Sequence, residues 1–257
     1  MMRLKTILRH ARLRYLVWSR LGWCYVCGRR TVFVVVDPKT IRENARCLWC
    51  KSTSRNRHVA KCVVERLRDH GARCMKDLPA INSLSIYNMS ASGSFSRVWG
   101  KCDHIVCSEY FPGHKSGESV GGVLCENVEE LSFPTACFDV VISEDVFEHV
   151  RDYRRGFEEV RRVLKPEGYH IFSIPFGFEQ RTVSRFEDRN GAEVAVLPVE
   201  YHGDPVRGQI PVYTSFGYDL LDYLRGSGFR VSLDVSGRDE ERKYGTFGSY
   251  TFVAQRV

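Results

Sequence analysis

The sequence predicts an α/β protein, a doubly wound and mostly parallel sheet preceded by a small metal-binding module. Three observations carry this. From residue 57 onward helix and strand signals alternate, the order that lays helices on both faces of a parallel sheet. Within that stretch Phe138–Ser143 (FDVVIS) is an apolar run of the kind a strand buried on both faces needs. Ahead of it, Cys24-x-x-Cys27 and Cys47-x-x-Cys50 enclose 19 residues.

At 257 residues, 43% hydrophobic and 27% charged, the chain can bury a sizeable core as one large domain or a mid-sized one plus a small one. No stretch approaches the roughly 18 apolar residues that cross a bilayer. No secretory signal precedes the cysteines, so a reducing, cytoplasmic compartment is expected. The formal charge of +7 is local. Residues 1–36 hold eight basic residues and no acid, whereas residues 37–257 set 30 basic against 31 acidic ones. The body therefore lacks the wide basic face that a nucleic-acid duplex requires.

Residues 1–22 read as a basic amphipathic helix, with Leu4, Ile7, Leu8, Ala11, Tyr15 and Trp18 at spacings of three and four. Three partners fit such a helix. Its apolar stripe suits docking on its own protein. Its arginines beside Tyr15, Trp18 and Trp23 suit an anionic membrane surface, and so a membrane-peripheral location. Clustered arginines with interleaved aromatics also suit RNA phosphates.

Residues 23–56 read as a zinc ribbon. Two residues between thiolates let one tight turn aim both sulfurs at one ion, and two such turns complete a closed tetrahedral shell. Cys24, Cys27, Cys47 and Cys50 are the predicted ligands of a structural Zn²⁺; a full shell leaves no open position for catalysis. Gly28 supplies the positive φ such a turn needs, and the β-branched Thr31–Val36 suits a hairpin. Cys62, Cys74, Cys102, Cys107, Cys125 and Cys137 lack ligand spacing and read as small core residues.

The remaining elements, over residues 57–257, follow in order. A helix is expected over His58–His70, and strands over Leu84–Met89, His104–Ser108, Gly122–Cys125 and Phe138–Ser143. Asp152–Leu164 reads as a helix capped by Asp152, with Tyr153, Phe157, Val160 and Leu164 as its buried stripe and a Glu158–Arg162 pair on its surface. Lys165-Pro-Glu-Gly168 ends it and leads into a strand over Tyr169–Ile174. Residues 177–216 are too many for a simple connection and read as a lid and acceptor wall.

The runs FDVVISEDVFEHV (138–150) and EEVRRVLKPEGYHIFSIPF (158–176) resemble the class I S-adenosylmethionine-dependent methyltransferases, of the type 11 group. The likeness lies in their fourth strand, the acidic-His turn after it and the LKPGG corner. Cys107-Ser-Glu-Tyr110 resembles the acidic end of their second strand, and CENVEELSFP (125–134) their D-x-x-x-L-P-F segment. Residues 84–176 carry the likeness, and Gly217–Val257 matches as the last helix and two strands. The resemblance implies a seven-stranded Rossmann-like sheet and S-adenosylmethionine as cofactor. It further implies that Glu109 accepts the ribose hydroxyls, that Asn127 and the Val128 amide meet the adenine, and that Ser143 and Glu144 close the site. The glycine-rich loop of the family is replaced here by Tyr87-Asn-Met-Ser-Ala-Ser-Gly-Ser94. Asn88, Ser90, Ala91, Ser92 and Gly93 are thus the expected cofactor loop, with small side chains giving the clearance that glycines give elsewhere.

Methyl transfer from a sulfonium needs alignment above all, and a base where the acceptor is a hydroxyl or amine. His149, Asp145 and Glu144, after the fourth strand, are the catalytic candidates, His149 foremost because it titrates near neutrality. In the insert, Tyr201, His202 and Asp204 are candidate acceptor contacts; His-Gly-Asp-Pro reads equally as a tight turn. The expected activity is methylation of a small-molecule, glycan or lipid-linked acceptor. An RNA methyltransferase is the alternative enzyme, although Ser-Glu-Asp-Val-Phe replaces the [N/D]-P-P-[F/Y] of amino-methylating nucleic-acid enzymes. The altered glycine loop also admits a non-catalytic binding module that kept the fold.

Overall fold

The structure, a computed structural model, describes residues 21–257 apart from Val36, Asn190 and Pro205. The helix expected over residues 1–22 lies outside the described residues except for Leu21 and Gly22, and Gly22 already opens a strand. The described residues divide into two compact units, 21–77 with Val235–Tyr250 and Leu78–Asp234 with Thr251–Val257.

The first unit begins with β1 (Gly22–Cys24), β2 (Arg29–Thr31), β3 (Phe33–Val35), the short α1 (Ile41–Asn44), β4 (Ala45–Cys47) and α2 (Ser54–Arg66). β1 pairs with β2 and β3 with β4, both antiparallel, so Thr31 and Phe33–Val35 contribute to two hairpins instead of one. Sequence periodicity places α2 at His58–His70, but it starts four residues earlier. Thr53 and Asn56 form a capping box there: Thr53 Oγ1 accepts from the Asn56 amide and Asn56 Oδ1 from the Thr53 amide, at 3.3 and 2.9 Å. The helix gives way to a single 3₁₀ turn at Arg68–His70, which ends on Gly71 at φ 86°.

The second unit contains β5 (Ile86–Asn88), α3 (Ser94–Trp99), β6 (Ile105–Glu109), β7 (Ser119–Val120), β8 (Val123–Cys125), β9 (Phe138–Glu144), α4 (Tyr153–Val163) and β10 (Leu164–Ser173). The long connection after β10 is itself built of strands: β11 (Phe176–Gly177), β12 (Val183–Ser184), a hairpin of β13 (Phe186–Arg189) and β14 (Ala192–Ala195), a second of β15 (Tyr201–Asp204) and β16 (Gly208–Pro211), and β17 (Thr214–Gly217). α5 (Leu220–Gly226) and β18 (Phe229–Val235) follow. The chain then leaves the sheet for α6 (Arg238–Tyr244) and returns as β19 (Tyr250–Arg256).

The main sheet has the order β18-β19-β10-β9-β5-β6-β8-β7. The pairs β5–β6, β5–β9, β9–β10 and β6–β8 are parallel, and β10–β19 is antiparallel. This is the doubly wound sheet expected, with the two-residue edge strand β7 as an eighth member. Asp152 caps α4 as expected, its carboxylate accepting from the Arg154 and Arg155 amides. The pair on that helix differs from expectation: Arg162 reaches Glu159 at 2.7 Å, which also accepts from the Leu131 amide, while Glu158 faces Arg155. Glu159 wins because it is buried and already placed by that backbone bond. At the corner after α4, a Cβ on Gly168 would stand 2.9 Å from the Lys165 carbonyl oxygen and 3.0 Å from that of Asp139, so only glycine fits. Beneath the sheet, Phe147 stacks on Phe157 at 4.1 Å and Phe172 on Phe252 at 4.9 Å.

Candidate active site and metal centre

The chain passes from β5 to β6 on one side and from β9 to β10 on the other, so β5 and β9 flank the point where strand order reverses. Ligands of such sheets bind beyond the carboxyl ends of the strands at that point. A cavity of about 630 Å³ lies there, lined by Glu109 and Asn127 at one end, His149 beyond them, and Arg207, Ile210 and Tyr213 from the insert. That volume holds a nucleoside-sized ligand and a small second molecule.

Glu109 ends β6, and its Oε1 organises the loop after β5. It accepts from the Ala91 amide at 2.9 Å, the Ser92 amide at 3.3 Å, and the Ser90 and Ser92 hydroxyls at 3.3 and 3.1 Å. Every one of these bonds falls on one oxygen, which leaves Oε2 for a ligand. Asn88 helps from below by donating to the Ser90 carbonyl, which also accepts from Ser96 Oγ at 2.8 Å. Gly93 has φ −74°, open to any residue, and a Cβ there would meet only Ser90 Oγ at 3.3 Å. The loop is thus held by its serines and Glu109 and not by glycine conformations.

Asn127 and Val128 line the cavity, but the Asn127 side chain is engaged locally, its Oδ1 accepting from the Glu129 amide at 3.1 Å. Beside it, Glu126 is 4% exposed and accepts from the amide and hydroxyl of Ser132, which fixes the segment under the cavity floor.

The end of β9 separates the remaining sequence candidates. Ser143 does not reach the cavity: its hydroxyl lies 2.9 Å from Nε2 of His170 inside the protein. A strand buried on both faces has no apolar alternation from which to read that side. Burial drives the His170 pKa down to about 3, so the ring is neutral. Glu144 is half-buried at the strand end and is not a lining residue. Asp145 has φ 52°, and its Oδ1 accepts from Ser173 Oγ at 2.8 Å, which turns it toward β10 and away from the cavity. His149 faces the cavity. Its Nδ1 donates to the Pro211 carbonyl at 2.7 Å, so Nε2 carries the lone pair, and burial holds its pKa below the ordinary histidine range.

The insert delivers His202 to the same place, with Nδ1 3.2 Å from His149 Nε2. Tyr201, its neighbour on β15, is 57% exposed and outside the lining. Asp204 closes the hairpin turn, accepting from the Val206 and Arg207 amides at 2.8 and 2.6 Å and from the Arg207 guanidinium at 2.8 Å. Burial opposes its ionisation, but those bonds prevail and keep the carboxyl below its ordinary range. Two further groups stand here, of which sequence reasoning passed over Glu148. Glu148, 1% exposed, lies against both histidines, and Arg207 stands over the Tyr110 ring at 5.6 Å. The adjacency of Glu148 to His149 was the only sequence signal for the first.

In the first unit, ligand atoms of Cys24, Cys27, Cys47 and Cys50 lie within 4.8 Å of one another. Cys24–Cys50 sulfurs are 3.7 Å apart and Cys27–Cys47 sulfurs 3.9 Å. Thiolates about 2.3 Å from a tetrahedral Zn²⁺ stand about 3.8 Å from each other, so the cluster is compatible with zinc. Hydrogen bonds with Cys24, Cys47 and Cys50 push the Cys27 thiol up, and those from Cys24, Cys27 and Cys50 pull Cys47 down.

Both turns share one geometry. Gly28 donates to the Cys24 carbonyl at 2.9 Å with φ 66°, and Lys51 donates to that of Cys47 at 3.1 Å with φ 61°. Only the first turn has the glycine that this conformation favours. Gly28→Ala is expected to lower stability by about 1–2 kcal/mol from the left-handed backbone alone, with further loss because its Cβ would stand 2.6 Å from Cys74 Sγ. Lys51→Gly should be neutral or stabilising. Thermal melts of the two variants test the pair, and a destabilised Lys51→Gly would contradict it.

Residues 95–172 match the methyltransferase domain family. Over 47 residues the chain is 49% identical to a glycine/sarcosine/dimethylglycine N-methyltransferase of Actinopolyspora halophila; the match covers 18% of this chain and 8% of that protein. Among solved structures, an S-adenosylmethionine-dependent methyltransferase from Mesorhizobium loti is 16% identical with TM-score 0.41, the match covering 71% of this chain and 98% of that one. One from Clostridium acetobutylicum is 12% identical with TM-score 0.44, over 76% and 89%. The 1,6-didemethyltoxoflavin-N1-methyltransferase of Burkholderia thailandensis is 15% identical with TM-score 0.39, over 77% and 87%.

Proposed function

We propose that the chain, whose residues 95–172 match the methyltransferase domain family, is a class I S-adenosylmethionine-dependent methyltransferase that methylates a small-molecule or glycan acceptor enclosed beneath the insert. The observation that carries this reading is the single cavity that joins Glu109 and Asn127 at one end to His149, Arg207 and Tyr213 at the other. The donor fits the first end. Glu109 has an unengaged carboxylate oxygen for ribose hydroxyls, and the loop of small residues at Ser90–Gly93 lets a ligand approach the backbone. S-adenosylmethionine supplies a methyl group on a sulfonium, whose departure needs no acid.

The protein's task is then to align the acceptor and keep water out. Arg207 and Tyr213 form the wall on the insert side, and Arg207 offers a fixed cation to an anionic or hydroxylated acceptor. His149, of the three catalytic candidates, is the one that lines the cavity, and its Nε2 lone pair faces His202 Nδ1 at 3.2 Å. The relative from Actinopolyspora halophila methylates amines, but a match to 8% of its length supports no transfer of its acceptor.

Calorimetry with S-adenosylmethionine and S-adenosylhomocysteine is the first test; absence of binding at submillimolar concentration would refute the reading. Incubation of the protein with methyl-labelled S-adenosylmethionine and size-fractionated cell extract then separates acceptors. Label in the small-molecule or glycan fraction supports the proposal, and label confined to RNA overturns it in favour of the basic N-terminus as an RNA-binding arm.

A further inference from the structure

We propose that Glu148, His149 and His202 form a divalent-cation site at the edge of the cavity that His149 lines, distinct from the four-cysteine cluster. Resting on the methyltransferase reading, the site would present an acceptor hydroxyl for transfer. The three residues come from two elements, the single 3₁₀ turn Phe147–His149 after β9 and strand β15 of the insert. Their ligand atoms lie within 4.8 Å of one another. His149 Nε2 stands 3.7 Å and His202 Nδ1 3.8 Å from Glu148 Oε1, and the two nitrogens are 3.2 Å apart. The point equidistant from the corners of that triangle is about 2.1 Å from each, the length of a metal–imidazole or metal–carboxylate bond.

The surroundings also suit an ion. The bond from His149 Nδ1 to the Pro211 carbonyl fixes the tautomer that bares Nε2, the support that metal-bound histidines usually receive from a second group. His202 can bare Nδ1 when its proton sits on Nε2, which has Glu200 at 3.9 Å. Two imidazoles and one carboxylate suit zinc, manganese, iron or cobalt. The side chains of Glu148 and His149 are 1% and 7% exposed, so little water competes for the ion. Three protein ligands leave coordination positions open, as in catalytic and not structural metal sites.

An acceptor hydroxyl bound at an open position would lose its proton to water near neutral pH. Its oxygen lone pair would then form the O–CH₃ bond while the S–CH₃ bond breaks, its electron pair going to sulfur to leave the neutral thioether. The acceptor class is therefore an alcohol or phenol, with His149 and His202 holding the ion and no separate base required.

The test is titration of Mn²⁺ into full-length protein whose cysteine cluster already holds zinc, followed by calorimetry and electron paramagnetic resonance. One Mn²⁺ per chain is expected. His202→Ala, on an insert hairpin and 34% exposed at the side chain, should weaken it at least about 100-fold while keeping the wild-type circular dichroism spectrum. Glu148→Gln should act likewise, and His202→Ala covers the case in which that buried change impairs folding. No Mn²⁺ uptake by the wild type, or equal uptake by His202→Ala, overturns the proposal. Because Mn²⁺ binding is read without S-adenosylmethionine, uptake by a chain that fails to bind that cofactor would sink the methyltransferase reading and leave the metal site standing.

Discussion

Glu109→Ala is expected to weaken S-adenosylmethionine binding by about 100-fold or more. The carboxylate has two tasks, and alanine ends both. Oε1 gathers two amides and two hydroxyls of the loop Ser90–Ser92 into the shape that borders the cofactor end. Oε2 is the acceptor proposed for the ribose. Hydrogen bonds to a charged group contribute about 1.5–3 kcal/mol each, and a loss of about 3 kcal/mol already exceeds 100-fold in affinity. The amides of Ala91 and Ser92 also lose their acceptor, so the loop should become more mobile. Glu109→Gln separates the two tasks: it keeps an oxygen for the loop but removes the charge, and should fall between alanine and wild type. Calorimetry reads the affinities and amide exchange at Ala91 and Ser92 reads the loop. An alanine variant within threefold of wild type would remove Glu109 from the cofactor site.

The sequence was most informative where a single element carried its own signal. The period of α4 and its Asp152 cap, the apolar β9 and the glycine corner at Gly168 are local patterns, and each lies where it was expected. The paired cysteines were legible because one tight turn sets the spacing within each pair. What escaped reading depends on distant partners. His149 meets His202 across 53 residues, and Arg162 prefers Glu159 to Glu158 because the Leu131 amide already holds that carboxylate. The departure from a glycine-rich loop looked like a loss. The structure gives it another physical basis, since Gly93 has an ordinary φ and the serines bind Glu109 directly. Nor does any local signal mark Val235–Tyr250 as part of the N-terminal unit, since that segment joins two strands of the other unit's sheet.

Arg57→Met should destabilise the N-terminal unit by about 3–5 kcal/mol and weaken zinc binding at the proposed four-cysteine site. Arg57 is fully buried in α2, and its guanidinium is the hub of that unit. Nε donates to the Tyr244 carbonyl at 3.1 Å, one terminal nitrogen to that of Ser52, and the other to those of Ala45, at 3.0 Å, and Gly245. The Phe33 ring lies 4.2 Å beneath it. Burial lowers its pKa to about 10, so the group stays charged at neutral pH, and the thiolates of the cysteine cluster oppose that fall. A zinc ion with four thiolates would carry −2, and Arg57 is a buried cation that would offset it. Methionine fills similar space but removes all four bonds; the Ser52 and Gly245 carbonyls keep the Cys47 amide and the Ser54 hydroxyl as donors, while a zinc-bound cluster would lose its compensating charge, a cost of a few kcal/mol when buried. Arg57→Lys should recover only part of the loss, because an ammonium has three donors and no planar fork. Neighbouring glycines show how tightly the hub is packed: at Gly245, with φ 66°, a Cβ would stand 2.4 Å from the Phe33 ring. Zinc release to a chromophoric chelator, followed against temperature, measures the effect. Retention of zinc by Arg57→Met at the wild-type melting temperature would show that the cluster does not depend on this cation.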